Sequence, residues 1–351
     1  MANVKIGMIG AGAIAPTHCR GIQGHPAAEI VAVADVNEER ARALAREFAI
    51  PKVYTDVKQM LAERAIDAVT IALPTYLHAV TAEAAIEAGK HVFLDKPFVM
   101  NQGEATRLMK TAAAKKKILT VGMNQRFTPE AQAVRAVVER GDLGDIYHAK
   151  AYWCRRSGIP RFGTWFGDKS KAGGGALLDI GFHMLDLGLH LIGNFRPLTV
   201  SGFSYTKFGN RDLGEGKWGK SDPGEHVFDV DDYAGALIRL TGGVTLQVET
   251  SWARHQALAD MHDVELFGTE GGASVYPAKV YQYVEEGRGY RTVEPAKLPV
   301  RYPHFNRHHN WIDAILGDAA LECTLEQAYA VQRIIDGVYE SARIGSEVKL
   351  S

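Results

Sequence analysis

The run VKIGMIGAGAIA, from Val4 to Ala15, constrains the fold more than any other stretch of the chain. An apolar strand (Val4–Ile9) passes directly into Gly10-Ala11-Gly12-Ala13-Ile14-Ala15, the spacing G-x-G-x-x-A. Gly10 permits a tight turn, and Gly12 leaves the backbone open to close approach. Ala15 lets the next helix lie against the strand. The amides around Ala13 and Ile14, at a helix N-terminus, then suit the pyrophosphate of a dinucleotide.

The residues that follow keep the same rhythm. Apolar runs at 30–34, 68–73, 91–94 and 118–121 alternate with amphipathic segments at 38–48, 57–63, 79–88 and 102–116. Short strands separated by helices predict βαβ units and a parallel sheet with helices on both faces. Asp35 ends the second run, 20 positions after Ala15. An acid there accepts hydrogen bonds from an adenosine ribose and repels a 2′-phosphate, which favours NAD over NADP. The other loops at the carboxyl ends of the strands are LPTYLH, DKP and GMNQRF. They supply further cofactor-binding candidates: Leu73, Pro74, His78, Asp95, Lys96 and Asn124.

From Ile146 the texture changes. Runs at 146–155, 198–208, 231–240, 244–252, 261–267 and 279–284 are separated by turns such as TGG and TEGG, and predict a mostly antiparallel sheet. Helical patterns lie at 129–140, 175–192, 306–315 and 324–341. The expectation is therefore an α/β chain of two domains. Residues 1–125 form a Rossmann domain, and residues 126–351 form a second, substrate-binding domain. Residues 209–226, rich in Gly, Lys and Asp, read as a long loop that covers a site or meets another subunit.

Forty basic and 41 acidic side chains give a net charge of -1, which argues against a nucleic-acid binder. Cys19, Cys154 and Cys323 are far apart and odd in number, so a reducing cytoplasm is expected. The first strand leaves no room for a signal peptide, and no apolar run approaches a membrane span.

A dinucleotide domain raises the question of what removes a proton when a hydride leaves an alcohol. In AGGGALLDIGFHMLDLG, Asp179 and His183 sit four residues apart, on one face of a helix. His183 is the candidate general base, with Asp179 orienting it. Lys96 is the candidate donor to the reacting oxygen. Lys96 and the Asp/His pair come from different domains, so the site is expected where the domains meet. Asp186 and His190 form a second such pair, but no Cys or further His supports a metal site, so none is expected. Substrate pockets combine aromatic faces with polar donors. The candidates are Tyr152, Arg155, Trp165 and Asp168, with Arg155 and Arg156 on opposite strand faces. His308 and His309 begin a closing helix and read as structural, as does the solvated basic run at 115–117.

The set GAGAIA, LPTYLH, DKP and GGGALLDIGFHMLDL, in this order, resembles the Gfo/Idh/MocA oxidoreductase family over essentially the whole chain. The resemblance implies a Rossmann domain followed by an α/β domain with a large open sheet. It also implies assembly as a homodimer or homotetramer through that sheet, and NAD-dependent oxidation of a sugar, polyol or glycoside hydroxyl. Its catalytic Asp and His fall on Asp179 and His183. Its Glu-Lys-Pro appears here as Asp95-Lys96-Pro97, a shorter carboxylate beside a matching lysine. Some relatives oxidise a sugar only transiently, giving glycoside cleavage or epimerisation with the cofactor recycled. A non-catalytic dinucleotide sensor is disfavoured by the presence of Lys96, Asp179 and His183 together.

Overall fold

The computed structural model describes residues 3–216, 221, 224–284, 289–294 and 306–350. The chain divides into two compact units, residues 1–123 with 306–329, and residues 124–305 with 330–351.

In the first unit, β1 (Val4–Ile9), α1 (Ala15–Gln23), β2 (Ala28–Ala34), α2 (Glu38–Phe48), β3 (Lys52–Tyr54), α3 (Val57–Leu61), β4 (Ala68–Ile71), α4 (His78–Glu87), β5 (His91–Leu94), α5 (Gln102–Lys115) and β6 (Leu119–Val121) follow one another. The strands form a parallel sheet in the order β3-β2-β1-β4-β5-β6. The order reverses between β1 and β4, which opens a crevice at their carboxyl ends. Helix starts are set locally: Asn37, Asp56 and Asn101 accept hydrogen bonds from the amides of Arg40, Lys58 and Glu104. Each such cap contributes about 1 kcal/mol.

The first unit also takes back a late helix. Trp311 and Ile312 of Arg307–Leu316 are fully buried in one core with Ile6, Met8, Cys19 and Ile22. The sequence pattern alone assigns this helix to the second domain, whereas it packs in the first unit. Its periodicity shows that it has an apolar face, but not which sheet that face covers.

The second unit runs through α6 (Pro129–Glu139), β7 (Ile146–Arg155), α7 (Lys169–Ala172), α8 (Phe182–Ile192), β8 (Pro197–Tyr205), β9 (Tyr233–Leu240), β10 (Thr245–Ser251), β11 (Asp260–Gly268), β12 (Gly272–Val275), β13 (Ala278–Val284) and β14 (Gly289–Val293). The late helix of the first unit is α9; α10 (Leu325–Ile344) and β15 (Val348–Lys349) close the chain. The sheet order is β14-β13-β12-β11-β7-β10-β9-β8-β15, and every pairing is antiparallel except β7 with β10. Strands β3 and β15 are only three and two residues long, β12 starts within the TEGG turn signal, and β14 is exposed along its whole length, so none of them carries an apolar pattern in the sequence.

Helix α8 lies on β7, where small residues admit it: a Cβ placed on Gly188 would sit 3.4 Å from that of Ala151. The helical run Lys169–Ile192 reaches a mean hydropathy of 1.3 and is long enough to cross a membrane, contrary to the sequence expectation. Its apolar window is 83% buried inside the protein, as a core helix is. In the long loop, the Phe162 amide donates to Ser221 Oγ, while 217–220 and 222–223 lie outside the described residues.

Candidate active site

The glycine turn is built as its spacing requires. Gly10 has φ of +95°, and a Cβ there would lie 2.3 Å from the Ala72 carbonyl oxygen. Around Gly12 no atom lies within 4 Å of an added Cβ, so the space beside it is open. Ala13 and Ile14 are exposed on the rim, and Ala15 is fully buried where α1 meets the sheet.

Asp35 binds this turn. Its Oδ2 accepts from the Ala11 amide at 2.7 Å and its Oδ1 from the Asn37 amide at 2.8 Å. The cap of α2 is Asn37 rather than Asp35, so the carboxylate is not there to start the helix. An open cradle at Gly12 with a carboxylate at the end of β2 fits an adenine dinucleotide.

Leu73 and Pro74 are half-buried at the end of β4. His78 is not at a surface where a cofactor meets it. It is 1% exposed, with Nε2 on the Leu73 carbonyl at 2.8 Å and Nδ1 on the Pro97 carbonyl at 2.9 Å. It joins the two loops that carry the other candidates, a bracing role that its place in LPTYLH did not reveal.

Asp95 also turns inward. Its Oδ1 lies 3.5 Å from His18 Nε2 and 3.7 Å from Arg307 Nη1. Burial alone would push its carboxyl up, but His18 when protonated, Arg307 and Lys96 hold it below the usual range. Lys96 is half-buried next to it. Asn124 is exposed at the start of the second unit.

In the second unit, the segment after Ala172 is fixed by a residue that the sequence reading missed. Asp231, just before β9, accepts from the Gly175 amide at 2.8 Å, the Leu177 amide at 2.9 Å and the Tyr339 hydroxyl at 2.7 Å. A Cβ on Gly175 would lie 1.9 Å from the Asp231 carbonyl oxygen, so this close approach requires glycine. The chain then makes a π-helical turn, Leu177–Gly181, before α8 begins. Such wide turns recur at functional sites, and this one contains Asp179.

Asp179 Oδ2 accepts from Trp252 Nε1 at 2.8 Å, and the indole is fully buried. His183 is 8% exposed, with its ring centroid 6.2 Å from that of Trp153. Arg155 lies over the Trp153 ring at 4.7 Å, and both donate to Asp260, from Arg155 Nε and Trp153 Nε1. Trp153 and Arg155 therefore share the face of β7 that carries His183.

Tyr152 alternates to the other face. There, with Lys150, Gln247, Glu249, Arg254 and Glu265, it lines a cavity of about 220 Å³. Burial raises its phenol to about 12. The structure thus places Arg155 on Trp153, the ring that His183 also meets, and leaves Tyr152 on the opposite face. The small helix-facing residues Ala149 and Ala151 carried that signal, because a period of two from them reaches Trp153 and Arg155.

The remaining candidates have structural partners. Trp165 stacks on Phe166 at 3.9 Å and packs on an apolar cluster with Ile159 and Trp252. Asp168 caps α7 and pairs with Lys171 at 2.8 Å. Arg156 donates to the Gln256 and Ala257 carbonyls. Asp186 is held by Arg126 in a buried two-point ion pair, which accounts for its place on α8. Among the described residues no group of three or more His, Cys, Asp or Glu is gathered to hold a metal ion.

Comparison with known proteins bears on the fold and the cofactor domain. Residues 4–123 match a family model described as an oxidoreductase family with an NAD-binding Rossmann fold, and residues 131–274 match the GFO/IDH/MocA C-terminal domain. The chain is 30% identical to D-glucoside 3-dehydrogenase of Escherichia coli (strain K12), over 99% of this chain and 97% of the relative. It is 31% identical to inositol 2-dehydrogenase of Rhizobium meliloti (strain 1021), over 56% of this chain and 57% of the relative. The solved structure of levoglucosan dehydrogenase with NADH and levoglucosan superposes with a TM-score of 0.86 at 26% identity, covering 99% of each chain.

Proposed function

The chain belongs to the Gfo/Idh/MocA family of NAD-dependent oxidoreductases, and from that premise we propose that it oxidises a secondary hydroxyl of a glycoside, sugar or polyol, with His183 as the base. One observation carries the reading. In a chain that aligns end to end with a glucoside dehydrogenase, Asp179 is anchored by Trp252 on the segment that sets His183 beside Trp153.

NAD, when bound, supplies the hydride acceptor; Gly10, Gly12, Ala13, Ile14 and Asp35 are the residues that would hold it. His183 takes the hydroxyl proton, a task for which an imidazole near neutrality is suited. Asp179 steadies the imidazolium, with its own carboxylate fixed by the indole of Trp252. Lys96 donates to the reacting oxygen and stabilises negative charge as it develops. Arg155, over the ring of Trp153, is the substrate contact favoured on the second unit.

We further propose a cytoplasmic homodimer or homotetramer assembled through the large sheet. Three buried free thiols and half-exposed apolar side chains on its strands, such as Leu237 and Tyr281, support this. Sedimentation gives the size directly.

The deciding experiment is a screen of glucosides, monosaccharides and polyols for NAD reduction, repeated with His183→Ala. The reading requires turnover in the parent and its loss in the variant with NADH binding kept. Undiminished turnover in the variant would overturn the assignment of the base.

A further inference from the structure

Buried side chains of the first unit form a row whose protons do not add up. His308 Nδ1 lies 2.9 Å from Asn306 Oδ1. That oxygen also accepts from the His308 amide, while Asn306 Nδ2 donates to the Gly21 carbonyl, so the orientation of the amide is fixed. His308 Nδ1 must therefore carry a proton. In neutral His308 the other nitrogen, Nε2, is then an acceptor. Its 2.9 Å contact makes His18 Nδ1 the donor. His18 Nε2 is left with a lone pair, fully buried, without a hydrogen-bond partner, and 3.5 Å from Asp95 Oδ1.

Two neutral imidazoles bring two protons to three gaps. The last gap, to Asp95, closes only when the pair becomes an imidazolium. We infer that His18 is a positioning residue: with His308 it forms a two-ring unit that takes up one proton, and by doing so fixes Asp95 and, through it, Lys96. The inference rests on the proposed role of Lys96.

The charged and titratable groups around the pair are Asp95 and Lys96 after β5, Arg307 and His309 on α9, and His78 on α4. Burial is the main influence on both rings and lowers them from 6.5, against the pull of Asp95. The third proton is thus absent at neutral pH and enters on acidification. His18 lies one turn into α1, whose N-terminus follows the glycine turn. Charging it adds a cation beneath the place where dinucleotide phosphates would sit, so NADH affinity and the proton are linked.

Nitrogen NMR of the histidine-labelled protein tests this, with His18→Gln and His308→Gln for assignment. Both rings should be Nδ1–H tautomers at neutral pH. One proton should then enter the pair as a single event below about pH 6.5. Asp95→Asn, whose amide donates to His18 without an added proton, should push that event lower. NADH titration by fluorescence should show affinity rising about threefold or more over the same interval, and His18→Gln should abolish the change. An Nε2–H tautomer of His18 at neutral pH, two independent titrations, or an unchanged pH dependence in His18→Gln each overturns the inference. If His18→Gln fails to fold, the parent tautomers and the Asp95→Asn titration decide. Neither readout uses a sugar, so a paired titration in a protein that oxidises no glycoside, sugar or polyol would count against the functional reading alone.

Discussion

Trp252 donates from Nε1 to Asp179 Oδ2 at 2.8 Å, so the carboxylate on the π-turn is held by an indole that reaches it from the end of β10. Trp252→Phe keeps a ring in the core and removes the donor. A hydrogen bond to a charged group contributes about 1.5–3 kcal/mol. Because Asp179 is proposed to steady a cation formed during the reaction, the loss should fall mainly on kcat, by about tenfold. Steady-state kinetics with the best substrate, alongside thermal unfolding, separates this from simple loosening. A raised KM with kcat intact would mean that Trp252 only packs.

Gly10 and Gly12 should respond oppositely to alanine. At Gly10 the new Cβ meets the Ala72 carbonyl at 2.3 Å, in a backbone conformation with φ of +95°. The strain is in the folded chain itself, so Gly10→Ala should lower the unfolding temperature even without cofactor. At Gly12 nothing lies within 4 Å of the new Cβ. Gly12→Ala should therefore melt like the parent and lose NADH affinity, because only the ligand needs the space. Calorimetry and NADH titration on the two variants check both halves.

Asp35 should matter to the cofactor in two ways. It holds the Ala11 and Asn37 amides, and it is the acceptor proposed for the ribose hydroxyls. Asp35→Ala should weaken NADH about tenfold or more and narrow the preference over NADPH, since the carboxylate that repels a 2′-phosphate is gone. Unchanged discrimination between the two cofactors would remove Asp35 from the ribose site.

Much of this was legible in the chain, and what was missed has a physical pattern. The strand, glycine turn and Asp35 declare themselves because each depends on local backbone geometry. The parallel and antiparallel halves declare themselves through the period and spacing of their apolar runs. Local pattern does not show which distant residue satisfies a buried group. Trp252 and Asp231 act on the segment carrying Asp179 and His183 from 73 and 56 positions away in sequence, and Tyr339 acts through Asp231, 108 positions before it. His78 and Asp95 looked like cofactor contacts because they follow strands, yet their partners lie inside the unit. The late helix α9 likewise shows its apolar face but not its address.

Asp231 gives the last test, because its ionisation and its bonds oppose one another. Burial raises its pKa from 3.8, against the pull of the Leu177 amide, the Tyr339 hydroxyl and the Gly175 amide. A carboxyl whose folded pKa lies above its unfolded value stabilises the fold fully below the unfolded value. That contribution is lost as pH rises through the folded value. At neutral pH the ionised group thus depends on its donors. Tyr339→Phe removes one of them and should cost about 1.5–3 kcal/mol there, the range for a hydrogen bond to a charge. Once Asp231 is protonated the same bond is between neutral groups and contributes about 1 kcal/mol. Urea unfolding of parent and variant should therefore show a gap that narrows as pH falls through the raised pKa of Asp231. A gap independent of pH would mean that the Tyr339 hydroxyl does not sense the charge on Asp231.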